Sequence, residues 1–304
     1  MLIPLLLLLA VAPSPEDRAV AYLAREVPRW SRDNHCFSCH NNGDAARTLY
    51  AARRLSYSVP PEALADTTDW LVRPLDWDNN RGNPAASDKK LARVQFAASL
   101  AEAVETGAVA DRKPLIQAAE TLLAYQEADG SWQTGAEADV GSPATYGAAL
   151  GTHMARRVLR TADPKRFAGP ISKAAQWLSN APAKSTLDAA AVILALGPSR
   201  PDCLDLIARG QSSDGGWGPY PRSPSEPFDT AVALLALSSL PNRPDLIGQI
   251  QQGREYLIQT QLESGGWLET TRPSGSRSYA EHISTSGWAA LALISTRQVT
   301  EPRP

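Results

Sequence analysis

Cysteine is scarce in this chain: three in 304 residues, too few to staple a small scaffold, and a chain of this size buries enough apolar surface without staples. Neither sign of charge is in excess. Thirty Lys+Arg stand against 32 Asp+Glu, a formal net charge of -2, so no whole-chain field draws the protein to nucleic acid. Long apolar runs are missing as well, since the longest, Leu2 to Val11, falls short of the roughly 20 residues that span a bilayer. Phenylalanine is rare, with four residues against eight Trp, so indole serves a purpose that plain packing does not require. What is present is 43% apolar and 20% charged residues, which excludes disordered and fibrous classes and suits one large globular domain or two small ones.

The run Leu2 to Val11 leads into Ala10-Val11-Ala12 and then Pro13-Ser14-Pro15, the shape of a secretory signal with a small-residue cleavage site. No Lys or Arg precedes it and a Pro follows Ala12, so residues 1–12 read as a signal peptide or a short uncleaved anchor. Either way the expectation is an exported protein, periplasmic or extracellular, with at most peripheral or N-terminal membrane association.

One pattern occurs three times, Gln-x-x-[Asp/Ser]-Gly-x-Trp, at Gln126–Trp132, Gln211–Trp217 and Gln261–Trp267. Each copy follows a helix-like stretch and precedes an Ala/Leu-rich one, so the unit is helix, Gly-Trp loop, helix. The 85 residues from Gln126 to Gln211, against 50 from Gln211 to Gln261, leave room for a degenerate unit at Ala174–Leu178 and Asp188–Leu196. Two more lie upstream, at Thr68–Leu71 with Lys90–Leu100 and at Ala19–Leu23 with Asp44–Ala52. Second helices then begin near 44, 90, 144, 188, 229 and 285. They are apolar almost all round, Asp229–Leu237 most clearly, whereas the first helices carry the charge. The predicted architecture is all-α, six apolar inner helices inside six amphipathic outer ones, an α6/α6 ring with Trp132, Trp217 and Trp267 as staples between hairpins.

The residues Gln211 to Gly218, followed by the Asp229–Leu237 helix, resemble the motifs and inner helices of squalene-hopene cyclases and of the related protein prenyltransferase β-subunits, and Ser284–Leu293 is similar to their last inner helix. The resemblance implies a single α/α toroid over residues 16–297 around a hydrophobic cavity, with 298–304 as a tail. In such cyclases an Asp-x-Asp-Asp-Thr-Ala segment supplies the acid that protonates an alkene. The matching run here is Glu226-Pro227-Phe228-Asp229-Thr230-Ala231, with Phe228 at the middle position, and Phe donates no proton. Asp229 is left as a non-standard catalytic acid, if burial raises its pKa, or as a helix cap. The zinc set of the prenyltransferases is not matched, because Asp202-Cys203 lies in the wrong half of its unit; Cys203 reads as a buried apolar filler.

In the first hairpin the Gly-Trp loop is replaced by His35-Cys36-Phe37-Ser38-Cys39-His40. Cys-x-x-Cys-His is the attachment signature of haem c, with Cys36 and Cys39 holding the porphyrin and His40 as proximal iron ligand. A disulfide, a redox pair and a zinc site are the competing readings. In a closed ring His282 is a neighbour of the first unit and the first candidate for the distal iron ligand; Met154 and His153 are alternatives, His35 is too close in sequence, and the sixth position could stay open.

The leading expectation is therefore an exported toroid with one covalent haem c, in electron transfer or redox sensing beside an apolar cavity, with a redox protein or an apolar terpenoid or lipid as partner. The alternatives are a terpenoid cyclase or isomerase acting through Asp229, and a non-catalytic lipid-binding or interaction scaffold in which Cys36 and Cys39 close a disulfide.

Overall fold

The computed structural model describes residues 12–80, 89–135 and 140–300, with side chains to 297. The apolar run at residues 1–11, on which the export reading rests, lies outside them. Twelve α-helices alternate in six pairs among the described residues: α1 (Pro15–Asn34) with α2 (Ala46–Arg54), α3 (Ala65–Leu71) with α4 (Lys89–Glu105), and α5 (Lys113–Leu123) with α6 (Gly147–Ala162). The remaining pairs are α7 (Ala168–Asn180) with α8 (Thr186–Leu196), α9 (Pro201–Gly210) with α10 (Pro227–Ser238), and α11 (Ile247–Gln259) with α12 (Tyr279–Thr300). Each even-numbered helix packs on the next and α12 returns to α2, which closes the inner ring. No helix among the described residues is long and apolar enough to cross a membrane.

The two rings differ as their sequences do. Outer helix α5 buries the single stripe Leu115, Ala118, Ala119 and Leu122, at helical spacing, and leaves its other face to solvent. Inner helix α10 buries residues on every side, Phe228 to Leu234 without a break. Helix starts follow local chemistry. Ser14 and Asp17 form a capping box before α1 with Pro15 at the first position, and Ser185 with Asp188 repeats the device before α8.

The three Gly-Trp loops make the same contacts three times. Each indole N–H donates to a carbonyl ten residues back on its own outer helix: Trp132 to Leu122 at 2.9 Å, Trp217 to Ile207 and Trp267 to Leu257 at 2.8 Å. Each Trp backbone N–H donates to a hydroxyl on its own inner helix, Thr152, Thr230 or Ser286. Each Gln amide reaches the outer helix of the next unit, Gln126 to Pro170 O, Gln211 to Gln249 O, and Gln261 to Pro15 O. The last of these joins the sixth unit to the first, so the motif that staples neighbours along the chain also closes the ring. The seam is reinforced by a buried ion pair, Arg254 to Glu16 at 2.6 Å.

Glycine is required in this loop for a second reason besides its turn. Gly265 has φ +98°, and a Cβ there would lie 2.3 Å from the carbonyl oxygen of Arg18 on α1. Gly265→Ala is expected to cost more than about 1 kcal/mol, because conformation and space both forbid the methyl group. Urea unfolding monitored by tryptophan fluorescence would measure it.

Two boundaries differ from the sequence reading. Helix α12 starts at Tyr279, so His282 sits in its first turn and not ahead of it, and the helix runs on to Thr300, past the expected end of the domain at 297. The first inner helix is preceded by a π-helical turn, Cys39–Ala45, which carries Asn41, Asn42 and Asp44 into the interior.

Candidate active site

Three inner helices have an Asp at their head, and the structure gives each a different fate. Asp188 caps: its carboxylate accepts from the backbone of Ser185 at 3.0 Å and of Lys184 at 3.1 Å. Asp229 occupies the same third helical position of α10 but makes no cap bond. Its Oδ2 accepts from Arg272 at 2.7 Å, and the other arm of that guanidinium reaches Glu226 at 2.8 Å. Asp229 is fully buried, and its Oδ1 has no hydrogen-bond partner among the described residues. Burial pushes its pKa up to about 7; Arg272 opposes this and the Glu226 charge adds to it. One guanidinium thus serves two carboxylates. Asp229 is the less exposed of them, since Glu226 keeps a fifth of its side chain in contact with solvent.

Asp44 is the third. It lies at the head of α2, 1% exposed, where the hydroxyl of Tyr146 donates to Oδ1 while Ser284 Oγ and Gln95 Nε2 each donate to Oδ2 at 2.8 Å. Gly43 permits this: a Cβ at that position would meet Gln95 Cβ at 3.0 Å, so α4 can approach only a glycine closely enough to deliver the amide. Burial pulls the Asp44 pKa up, against the pull of Arg47 and the three donors. His40 Nδ1 lies 2.8 Å from Ser284 Oγ, and burial holds that imidazole down at about 4, neutral at pH 7. The ring of Trp288 meets two others edge-on, Tyr146, the donor to Asp44, at 5.7 Å and Phe228, the residue before Asp229, at 5.8 Å. The guanidinium of Arg47 sits 4.0 Å from the Trp288 ring centre.

This geometry overturns the haem c expectation. The Cys36 to His40 segment is a packed turn, with Phe37 stacked on Trp70 at 4.7 Å and its backbone held on both sides by the Asn80 amide. Cys36 is buried, His40 is committed to Ser284, and no disulfide joins Cys36 to Cys39. Two of the three candidate distal ligands are engaged too: His282 binds Tyr22 OH through Nε2 at 2.9 Å and faces Glu269 through Nδ1 at 3.4 Å, and Met154 Sδ accepts from Arg47 at 3.4 Å, while the third, His153, is buried in the middle of α6. Among the described residues no group of His, Cys, Asp and Glu is placed to hold a metal ion. The residues present do not fit a covalent haem, and with it goes the electron-transfer reading. The spacing is that of the signature, but spacing carries no information about burial. The disulfide of the scaffold reading is likewise absent.

Of the site, Asp229 and Glu226 are singled out by the sequence pattern. Asp44, Gln95, Arg47, Tyr146, Arg272 and Ser284 are not, although the equivalent placing of Asp44 at an inner-helix head was the available signal. The basic member, Arg272, comes from the loop after the last Gly-Trp copy and belongs to no repeat.

No family model matches the chain. A 75-residue stretch is 36% identical to a drimenyl diphosphate synthase of Streptomyces showdoensis, and an 83-residue stretch is 30% identical to one of Streptantibioticus cattleyicolor. These stretches are 24% and 27% of this chain but only 14% and 15% of those enzymes, so the chain matches a small part of the curated relatives' length. Among solved structures, the type II terpene cyclase MstE from Scytonema superposes with a TM-score of 0.60 at 13% identity, over 93% of this chain and 97% of that one. A protein from Actinoplanes gives 0.57 at 16% identity, over 92% and 98%. A variant of MstE in complex with geranylgeranyl dihydroxybenzoate, its substrate, gives 0.55 at 12% identity over the same shares. The all-α toroid of this chain is a terpene-cyclase-like fold.

Proposed function

We propose that this protein is a terpenoid cyclase or isomerase that starts its reaction by protonating an alkene, with Asp229 as the acid. The observation that carries this reading is the arrangement at the head of α10: a fully buried carboxyl whose pKa is pushed to about 7, with one oxygen fixed by Arg272 and the other without a hydrogen-bond partner among the described residues. A carboxyl that is partly protonated at neutral pH and keeps an unpartnered oxygen has a proton to give to a substrate carbon. In the step proposed, the O–H bond of Asp229 breaks as a C–H bond forms at one alkene carbon. The positive charge appears on the other carbon and is passed on as neighbouring π bonds close rings. Loss of a proton elsewhere in the substrate ends the sequence, so substrate and product are isomers.

The carboxylate left behind is stabilised by Arg272, already in place, so no reorganisation is needed at the moment of transfer. Glu226, a fifth exposed and paired to the same guanidinium, is in contact with solvent and marks the side from which the proton would be replaced. The edge-on pair Phe228 and Trp288, which begins one residue before the acid in sequence, suits a developing carbocation. The fold likeness and the two partial sequence matches support a linear isoprenoid as substrate class.

The test is incubation of the purified protein with a panel of linear isoprenoids, as diphosphates and as hydrocarbons, followed by mass spectrometry for isomers of unchanged mass and fewer double bonds. A cyclic isomer made by the wild type and not by Asp229→Asn supports the reading. Product made equally by both assigns the acid elsewhere and removes it.

A further inference from the structure

At the end of the ring opposite the acid, a cavity of about 630 Å³ opens between the C-terminal halves of α4, α6 and α8. Its size is that of a small-ligand site. Four arginines line it, Arg112, Arg156, Arg157 and Arg160, with His153 and a single carboxylate, Glu105. From these we infer that the cavity is a binding site for a multiply charged oxyanion of the phosphate or diphosphate class.

Arginines near helix C-termini often serve only to cap carbonyls and to complement the helix dipole. Some of that is present. Arg112 donates to Thr161 O at 2.6 Å, Arg156 to Ala195 O at 3.0 Å, and Arg157 is held by Glu102 and Glu105 at 2.6 and 2.5 Å. These contacts leave donors over. Among the described residues the Nε of Arg156 is buried without a partner, and so is Nδ1 of His153, a side chain only 9% exposed that forms part of the cavity wall. Two orphaned nitrogens in one cavity wall are costly unless paired, and an acceptor would take a bond from both the guanidinium N–H and, in its Nδ1–H tautomer, the imidazole.

The charge pattern points the same way. Arg156 and Arg160 are four residues apart on one face of α6 and repel each other, an arrangement without benefit to an isolated helix. Burial, with that repulsion added, draws the Arg156 pKa down. An anion between them turns that repulsion into attraction, and guanidinium forks match the paired oxygens of phosphate groups. The site does not depend on the cyclase reading, because it holds a ligand whether or not a ring is closed. The anion is either free or the head group of a prenyl diphosphate.

Isothermal titration of the full chain with inorganic diphosphate, farnesyl diphosphate and farnesol tests the inference. The expected result is saturable binding of a diphosphate, weakened by added salt, and weakened tenfold or more in an Arg156→Gln, Arg160→Gln double variant. Similar affinity for both diphosphates identifies a free anion as sufficient, whereas preference for the farnesyl compound, with farnesol silent, identifies a lipid head group. Glu105→Gln is expected to bind more tightly, since it removes the competing carboxylate, and a gain of affinity cannot come from misfolding. Absence of saturable binding by either diphosphate overturns the inference, as does a double variant, folded by circular dichroism, that binds as well as the wild type.

Discussion

Asp229→Asn is expected to lower turnover by about 10³-fold or more while leaving the fold intact, because it removes the only proton the proposed first step can use. The amide keeps the size of the side chain, and Glu226 still neutralises Arg272. Glu226→Gln acts differently. It removes the negative charge that raises Asp229, so the acid ionises at lower pH and activity at neutral pH falls by less, with the alkaline limb of the pH profile moved toward acid. In the wild type, activity is expected to hold below about pH 7 and to decline above it, as the proton is lost.

The same group ties stability to pH with a defined sign. Its folded-state pKa, about 7, lies above the ordinary 3.8, so between those values the native state holds a proton that the unfolded chain has lost. Stability from this group is therefore present below about pH 4 and is lost as pH rises toward 7. Asp229→Asn has no such loss, and its melting temperature relative to wild type is expected to increase between pH 5 and pH 8. A variant that is inactive yet relatively more stable at pH 8 separates chemistry from folding. One whose melting temperature falls further below wild type as pH rises shows that the Arg272 pair outweighs burial, and with it that Asp229 rests as an anion.

Trp267→Ala is expected to destabilise the ring by about 4 kcal/mol, the cost of emptying a buried indole site, with a fall in melting temperature of roughly 10 °C. Trp267 is fully buried, and its N–H is the partner of Leu257 O. Trp217→Ala removes the same contacts from the preceding copy, but there the polypeptide itself still joins the units that the loop staples. At the seam between the sixth unit and the first no peptide bond does, and Gln261, on the loop that Trp267 anchors, and Arg254 have to hold α1 without one. The loss at Trp267 is therefore expected to exceed that at Trp217, and to be accompanied by earlier proteolytic release of α1. Equal losses, with no early cleavage, would show that closure rests on other contacts.

The repeat was legible because its signals are local. A Gly that must turn, a Trp that must reach back ten residues and a Gln that must reach sideways recur as letters at fixed spacing. The inner helices announce themselves by being apolar on all faces, a pattern that only burial on all sides explains. The proposed acid site was legible in half. Asp229 and Glu226 are neighbours in sequence and could be found by pattern, whereas Arg272, 43 residues on from Asp229, comes to them through a loop of no fixed motif.

Asp188 and Asp229 show the limit most plainly. Both stand at the third position of an inner helix with similar apolar sequence after them, yet one caps its helix and the other meets a guanidinium. What separates them is a side chain delivered from another unit. Cys36, Cys39 and His40 repeat the lesson in the opposite direction: a spacing with a strong chemical meaning lies in a segment that Trp70, Asn80 and Ser284 pack into the wall. The sequence by itself determined the helices, their pairing and the staple, since these depend on propensity, periodicity and contacts within a hairpin or between adjoining ones. Tertiary structure alone decided which carboxyl is pushed toward protonation and which histidine is spoken for, because pKa and ligand availability are set by burial and by partners from helices far apart in the chain.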